Sequence, residues 1–264
     1  MSGGVIGLLT DFGTKDYYVS AMKAVILRIA PDVRIIDISH DVEKWNIVQG
    51  AFILWQTVPF FPDSAVIVGV VDPGVGGRRK PIIIKGRKHY FVGPDNGLLS
   101  LAAEKEGIEK VFEIKNERYM LKRSGTFDGR DVFSPIAAYI AKGVSPEEIG
   151  PEIKEYSKIS LPKPRYVGNK LELEVIHVDH FGNIITNVPV DSFMRWRGNS
   201  NFFELEIGLR KFKLSLARSY ESAITKIFLI PGSSGLIEIS MNRASASRAL
   251  SIRPGFRLFL RKLP

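Results

Sequence analysis

The order of hydrophobic and polar positions divides the chain into two parts of different texture. In the first part, residues 5–10 form a short apolar run, apolar positions recur at helical spacing from 22 to 29, and residues 33–38 are again strand-like. Residues 65–71 are nearly uninterrupted and rich in Val, which is typical of a strand covered on both faces in a mainly parallel sheet. Further strands are predicted at 82–85 and 90–92, and helices at 46–58, 98–105 and 131–142. This alternation predicts an α/β domain over residues 1–156.

The second part carries short alternating segments. Pro162 and Pro164 interrupt the chain, and strand-like stretches follow at 171–178, 184–188, 202–207, 211–217, 227–230, 236–239 and 257–260. Short strands at such spacing indicate an antiparallel barrel or sandwich. A second domain is therefore predicted over residues 157–264.

Composition narrows the class of protein. With 45% apolar and 25% charged residues, the 264-residue chain has the makeup of a globular protein. It has no cysteine, which excludes disulfides and thiolate chemistry, and its four histidines lack metal-ligand spacing, so no metal site is expected. No apolar run is long enough for a membrane span, and residues 1–4 lead into the first strand without a signal peptide, so we expect a cytoplasmic protein without a membrane partner.

The net charge of +9 arises in the second part. Residues 1–156 hold 20 basic and 20 acidic side chains, whereas residues 157–264 hold 17 and 8. A basic domain attracts acidic partners, including nucleic acid. Its cations are scattered and not interleaved with aromatic residues, so the pattern does not favour nucleic-acid binding, which stays open as an alternative.

Two predicted strands end in an aspartate. Asp11 follows the first strand, and Asp72 follows the run 65–71 and precedes a glycine-rich stretch that ends at Arg79. Ligands of open α/β sheets bind outside the carboxyl ends of the strands, and glycines let a ligand approach the backbone. A tight turn capped by Asp72 explains the same residues equally well. The stretch fits neither the P-loop nor the dinucleotide-binding pattern.

Other motifs are ambiguous when each is taken alone. Asp128, within the segment 126–131, fits simple N-capping of the helix that follows. The segment 179–183 fits a hairpin turn built on Gly182 and Asn183. Trp45 fits either ordinary core packing or an aromatic platform for a ligand.

Taken together and in order, these motifs resemble one enzyme family. The segments are Leu-Leu-Thr-Asp-Phe-Gly at 8–13, Asp-Ile-Ser-His at 37–40, Val-Asp-Pro-Gly-Val-Gly at 71–76, Pro-Asp-Asn-Gly at 94–97, Thr-Phe-Asp-Gly-Arg-Asp at 126–131 and Asp-His-Phe-Gly-Asn at 179–183. The chain is similar over nearly its whole length to the S-adenosyl-L-methionine (SAM) hydroxide adenosyltransferases, which are SAM hydrolases related to SAM-dependent fluorinases and chlorinases. Six modest motifs in sequence make the resemblance specific.

The resemblance implies a fold, an assembly and a reaction. The fold is an N-terminal, mainly parallel α/β sandwich domain plus a C-terminal antiparallel β-barrel domain, and the assembly is a homotrimer whose active sites lie between subunits. The reaction converts SAM and water into adenosine and methionine, with SAM as substrate and no cofactor. Carried over by position, the substrate-binding residues are Asp11, Asp16, Trp45, Phe127, Gly129, Asp179, Phe181, Asn183, Ser233 and Glu238.

The water-activating residues implied by the resemblance are Asp72, Arg79 and the residue at position 128. The family has histidine at that third position, whereas this chain has Asp128. Two neighbouring carboxylates raise the pKa of one of the pair, so Asp72 and Asp128 are predicted to share a proton. This predicts slower turnover than in the family and a shifted pH profile, with Asp128→His faster than the unaltered chain.

A second hypothesis follows from the same departure. If Asp128 marks lost activity, the chain is a catalytically weak or silent binder of SAM or adenosine. Binding of adenosine without its release from SAM would distinguish this binder from the hydrolase.

Overall fold

The structure is a computed structural model that describes residues 4–263. Residues 1–3 and residue 264 lie outside the described residues. The prediction that residues 1–4 contain no signal peptide therefore lies largely outside them as well. The chain forms two compact units, the first ending at Ser160 and the second starting at Leu161.

The first unit is built on a six-stranded mixed sheet. Its strands are β1 Val5–Thr10, β2 Arg34–Ser39, β3 Val66–Val70, β4 Pro81–Gly86, β5 Tyr90–Pro94 and β6 Ile108–Glu113, in the order β2-β1-β3-β5-β4-β6. The pairs β1/β2, β1/β3 and β3/β5 are parallel, and β4 is antiparallel to both of its neighbours. The predicted parallel core is therefore confirmed, and β4 and β6 add an antiparallel edge.

Helices cover both faces of this sheet. They are α1 Tyr18–Ile29, α2 Ile47–Thr57, α3 Ser100–Glu106, α4 Ser134–Ala141 and α5 Pro146–Ile149. Side chains of α1 and α4 share a core with alternate residues of β3, while α2 and α3 share another core with the remaining ones, as expected for a strand buried on both faces. No helix within residues 4–263 is long and apolar enough to cross a lipid bilayer.

The second unit contains a closed β-barrel. Its strands are β7 Arg165–Val167, β8 Lys170–Val178, β9 Ile184–Pro189, β10 Phe202–Ile207, β11 Arg210–Leu216, β12 Ile227–Pro231, β13 Leu236–Met241 and β14 Arg257–Lys262. Pairing of β14 with β8 closes seven strands into the barrel, and β7 pairs with β8 outside the ring. All pairs are antiparallel except β11/β12. Leu171, Leu173 and Val175 of β8 point into the buried core, in line with the predicted alternation.

The hydrophobic pattern of the sequence did not predict several helices and strands. Strand β6, strand β7 and the helices α5, α6 Val190–Arg197 and α7 Ala246–Leu250 were not predicted. The predicted helix 131–142 is two elements, a π-helix at Gly129–Phe133 that continues into α4. Short or half-polar segments carry too few periodic positions to distinguish them from loops, so only tertiary packing defines them.

Candidate active site

The carboxyl ends of β1 and β3 lie side by side. The two strands are parallel and pair Thr10 with Val70, so Asp11 and Asp72 follow at the same edge of the sheet. Both aspartates therefore follow strand ends, as predicted, at the edge where open α/β sheets generally bind ligands. Asn96, after β5, donates its side-chain amide to the carbonyl of Val71 at 2.8 Å and thereby fixes the backbone just before Asp72.

A glycine-rich bend turns the chain after Asp72 back toward it. The backbone N–H of Gly74 donates to Asp72 Oδ1 at 3.2 Å, so the capped-turn interpretation is correct for the backbone. Gly76 has φ +74°, and a Cβ there would lie 2.3 Å from the carbonyl oxygen of Gly125. The bend therefore packs directly against the loop preceding the π-helix, which requires glycine at this position.

Arg79, at the end of the bend, is held between two carboxylates. Its Nε and Nη2 donate to Asp72 Oδ2 at 2.9 and 2.5 Å, and Nη2 also donates to Asp128 Oδ2 at 2.6 Å. The side chains of Asp72, Arg79 and Asp128 are only 4%, 10% and 0% exposed. Burial opposes the charge of Arg79, but hydrogen bonds to the two carboxylates outweigh it and raise the Arg79 pKa above its usual value.

Asp128 contacts a second arginine that the sequence analysis did not identify. Arg123 donates from Nε to Asp128 Oδ1 at 3.1 Å and from Nη2 to Oδ2 at 2.7 Å. Asp128 makes no side-chain capping bond to the π-helix, so the N-capping interpretation was wrong. The proton shared between Asp72 and Asp128 stays a prediction; the structure adds one guanidinium that bridges the two carboxylates and a second one that pairs with Asp128. No sequence pattern marks Arg123, since its pairing depends on how the loop folds over the π-helix.

Asp72 and Asp128 line a cavity of about 230 Å³. Phe127 and Gly129, both predicted substrate contacts, also line it, together with Phe12, Tyr18, Val70, Val75 and Thr126. The rings of Phe12, Tyr18 and Phe127 pack on one another at centroid distances of 5.2–5.8 Å. The cavity is smaller than a typical ligand pocket, so it is suited to part of a nucleoside rather than to a whole ligand.

Asp11, Asp16 and Trp45 form a second group beside β1. The backbone N–H of Trp45 donates to Asp11 Oδ2 at 2.8 Å, and the Trp45 side chain is exposed at 69% with φ +65°. Trp45 is therefore not a core residue, which favours the platform interpretation. Asp16 lies in the exposed segment between β1 and α1. As far as residues 4–263 define it, the lining of the 230 Å³ cavity does not include these three residues.

The motif Asp37-Ile38-Ser39-His40 supports the loop that carries Asp11. Buried His40 contacts Thr10 Oγ1 through Nδ1 at 2.9 Å, and its carbonyl accepts the N–H of Gly13 at 2.7 Å. These two contacts flank Asp11 on both sides. The motif therefore stabilises the backbone around Asp11, a role that the sequence of the motif did not indicate.

In the barrel unit, Asp179 and Asn183 close the turn between β8 and β9. Asp179 accepts the backbone N–H of Asn183 on Oδ1 and its side-chain amide on Oδ2, both at 2.8 Å. Gly182 has φ +85°, as a tight hairpin requires, so the hairpin interpretation is confirmed. Asn183 is buried, whereas the ring of Phe181 is 76% exposed.

Phe181 and Asn183 line a depression of about 550 Å³ within this unit. The other lining residues are Tyr220, Met241, Arg243, Ala244 and Ser245. Two exposed rings, Phe181 and Tyr220, and a buried amide provide stacking surfaces and hydrogen-bonding groups for a flat heterocycle. Tyr220, Arg243 and Ser245 were missed because they lie on loops that only the barrel brings to Asn183.

Glu238 and Ser233 lie on the hairpin of β12 and β13. Ser233 is exposed at its turn, and Glu238 packs against Gly232. Burial, followed by the nearby charge of Asp179, raises the pKa of Glu238 to about 7. Glu238 and Asp179 thus form an acidic pair that favours a cationic ligand group.

The raised pKa of Glu238 predicts a pH-dependent stability. The folded-state pKa lies above the unfolded value of 4.5, so the ionised carboxylate destabilises the fold increasingly as pH rises from 4.5 to about 7 and fully above that. Glu238→Gln, which resembles the protonated acid, is expected to stabilise the protein at pH 8 by ~1–2 kcal/mol after allowance for solvent screening. Thermal unfolding at pH 8 and pH 4.5 measures this, and an equal gain at both pH values would contradict it.

The two units define a class of protein. An α/β domain carries a buried Asp-Arg pair at the carboxyl edge of its sheet, and it is joined in sequence to a β-barrel with an aromatic pocket. The model of the SAM hydroxide adenosyltransferase N-terminal domain matches residues 6–150, and that of the C-terminal domain matches residues 173–258. The chain belongs to the SAM hydroxide adenosyltransferase family.

Individual relatives agree with this assignment. The chain is 40% identical to a protein named (R)-S-adenosyl-L-methionine hydrolase from Methanocaldococcus jannaschii, with 94% of this chain and 92% of the relative covered. It is 35% identical to a protein of the same name from Thermus thermophilus, with coverage of 94% and 95%. A crystal structure of an uncharacterized conserved protein from Thermotoga maritima has 38% identity and a TM-score of 0.92 over 97% of this chain and 100% of that one.

Proposed function

We propose that this protein hydrolyses SAM to adenosine and L-methionine. The observation that carries the proposal is the Asp72–Arg79 pair, which lies at the ligand-binding edge of the sheet with Asp72 in the wall of a cavity. Membership of the SAM hydroxide adenosyltransferase family and the names of the relatives support the same reaction.

The reaction needs an oriented water more than it needs an acid. The sulfonium of SAM releases methionine as a neutral thioether, which takes the electron pair of the C5′–S bond while water oxygen forms the new bond to C5′. Holding the water in line contributes up to about 7–11 kcal/mol. Asp72 orients the water and accepts its proton, and Arg79 stabilises the developing hydroxide. Arg79 occupies Oδ2 of Asp72, so the water binds Oδ1, which accepts one hydrogen bond from the N–H of Gly74 and has a second lone pair for the water.

We assign the substrate contacts to the remaining residues from the resemblance to the family. Asp11 holds the ribose hydroxyls, and Trp45 and Asp16 form the adjacent wall. Phe127 and Gly129 border the reacting carbon. In the barrel, Phe181 and Asn183 bind the adenine, and the acidic pair of Asp179 and Glu238, with Ser233, binds the methionine end.

Asp72 also separates hydrolysis from halogenation, the reaction of the related fluorinases. A carboxylate about 4 Å from a dehydrated halide repels it by about 4 kcal/mol at an effective dielectric near 20, a repulsion that the Arg79 guanidinium on Oδ2 offsets in part. Water carries no such charge. Water is therefore the favoured nucleophile in this site.

We further propose that the protein is a homotrimer in which the α/β domain of one subunit and the barrel of the next complete each site. The predicted nucleoside contacts are divided between the two units, and neither unit carries all of them. The proposed reaction calls for no cofactor and no nucleic-acid partner. The cytoplasmic location stays a prediction from the sequence.

Incubation of the purified protein with SAM tests the proposal directly. We expect equal amounts of adenosine and methionine by chromatography, with one solvent oxygen in adenosine when the reaction is run in ¹⁸O-water. Calorimetry with adenosine measures binding separately, and light scattering on the same sample measures the trimer. Adenosine binding without release from SAM would overturn the hydrolase in favour of the silent binder.

A further inference from the structure

We infer that Arg123 is a positioning residue of the water-activating cluster and that Arg123 and Asp128 together replace the single histidine that the resemblance places at position 128. This inference rests on the proposed function, because it concerns the same cluster. It assigns to Arg123 a role that its sequence context did not indicate.

The hydrogen bonds of Asp128 link it to two arginines. Asp128 is fully buried, and its oxygens accept one hydrogen bond from Arg79 and two from Arg123. Oδ2 of Asp128 accepts from both guanidiniums, so the carboxylate lies between them as a bridge. A carboxylate so engaged is not placed to act as a free base. Its role is to hold Nη2 of Arg79 together with Asp72, which also accepts the hydrogen bond from Nε.

The net charge of the buried cluster depends on Arg123. Asp72, Arg79 and a neutral histidine would sum to zero, whereas Asp72, Arg79 and Asp128 alone would sum to −1 in a buried site. Arg123 restores the sum to zero. A buried unpaired charge is costly, so the aspartate is tolerated because this guanidinium reaches it.

Besides Arg79, the ionisable groups near the Arg123–Asp128 pair include Tyr18, which lines the same cavity as Asp128. The charged groups that face Asp128 are Arg79, from the glycine-rich bend, and Arg123, from the loop before the π-helix, with Asp72 beyond Arg79. On the π-helix itself, Asp131 is paired with Arg130 at 2.6 Å and also accepts hydrogen bonds from Ser124. The Arg130–Asp131 pair is therefore internally neutral and does not offset the charge of Asp128.

The inference predicts a specific kinetic defect. Arg123→Gln leaves two carboxylates with one guanidinium, so one carboxylate retains a proton to higher pH. We expect kcat to fall by about 10–100-fold at neutral pH, with the acid limb of its pH profile moved upward and KM changed by less than about threefold. Arg123→Lys, which keeps the charge, is expected to restore the position of the acid limb. Lys122→Gln, the same charge change at an exposed neighbour, is the matched control and is expected to leave the profile in place.

A double-mutant cycle separates action through Asp128 from a direct role. In the Asp128→Asn background, Arg123→Gln is expected to change kcat by less than about threefold, because the charge that Arg123 neutralises is absent. In the Asp128→His background, Arg123→Gln is expected to raise kcat, since a histidine beside two guanidiniums is left with excess positive charge. Asp128→His alone is then not faster than the unaltered chain, in contrast to the prediction from the sequence.

Three results would overturn the inference: an Arg123→Gln defect of equal size in the Asp128→Asn background, a defect confined to KM, or an unshifted pH profile. The same cycle measured on thermal unfolding needs no turnover, and we expect Arg123→Gln to lower the melting temperature only when Asp128 is present. If the unaltered protein releases no adenosine but this coupling in stability holds, the proposed function fails and the charge-balancing pair stands. If adenosine is released and the coupling is absent, the inference fails and the proposed function stands.

Discussion

Asp72→Asn is expected to lower kcat by about 10²–10⁴-fold, the range associated with loss of a general base. Oδ2 of Asp72 binds two nitrogens of Arg79, and Oδ1 is anchored by the N–H of Gly74. An amide keeps this shape but carries no charge and cannot take a proton from water. The NH₂ group of the asparagine also faces a hydrogen-bond donor, either Arg79 or the N–H of Gly74. This donor–donor contact weakens the hold on Arg79.

Binding measurements distinguish this loss from misfolding. Adenosine affinity of Asp72→Asn, by calorimetry, is expected to stay within about threefold of the unaltered protein, because Asp72 is placed to contact water rather than the nucleoside. Single-turnover release of adenosine from SAM gives the chemical step. Activity within tenfold of the unaltered protein would remove Asp72 from its proposed role.

Arg79→Met is expected to destabilise the fold as well as abolish turnover. The change leaves Asp72 and Asp128, which are almost wholly buried, with Arg123 as the one remaining cation in the cluster. Removal of one partner from a buried charge pair costs about 3–5 kcal/mol, which corresponds to a fall in melting temperature of roughly 6–20 °C at about 2–4 °C per kcal/mol. Loss of the group that stabilises hydroxide lowers kcat by about 10²-fold or more.

A second substitution separates the two effects. Arg79→Met with Asp128→Asn removes one of the stranded carboxylates and is expected to recover about half of the lost melting temperature without recovering turnover. Arg78→Met, at the exposed neighbour, is the matched control for the loss of one positive charge. If Arg79→Met melts with the unaltered protein, the buried pair is not a structural element of the site.

The sequence predicted site residues correctly where local backbone structure, such as a strand end or a turn, determines their position. Asp11 and Asp72 were each predicted to follow a strand of a mainly parallel sheet, and the pairing of Thr10 with Val70 places both at the same edge. The hairpin at residues 179–183 was predicted from Gly182, whose positive φ a tight turn requires. In both cases a local rule already fixes where the residue lies.

Prediction failed where a side chain acts through a distant partner. Asp128 fits a helix cap by its spacing, yet in the fold it is a bridge between Arg79, 49 positions away, and Arg123. The proton-sharing hypothesis rests on the two carboxylates alone and stays a prediction, while the fold adds guanidinium contacts to both of them. The net charge around a buried group depends on every side chain that reaches it, and sequence spacing does not report this.

The sequence by itself determined the two-part organisation, the parallel core of the first sheet, the barrel-type alternation of the second part, and the family. These properties depend on periodic burial and on short motifs, which are local in the chain. Only the tertiary structure decided that Arg79 lies between Asp72 and Asp128, that Arg123 pairs with Asp128, and that burial, followed by the nearby charge of Asp179, raises the pKa of Glu238. Electrostatic energies depend on distances through space and on exclusion of water, and both are set when the loops pack against one another.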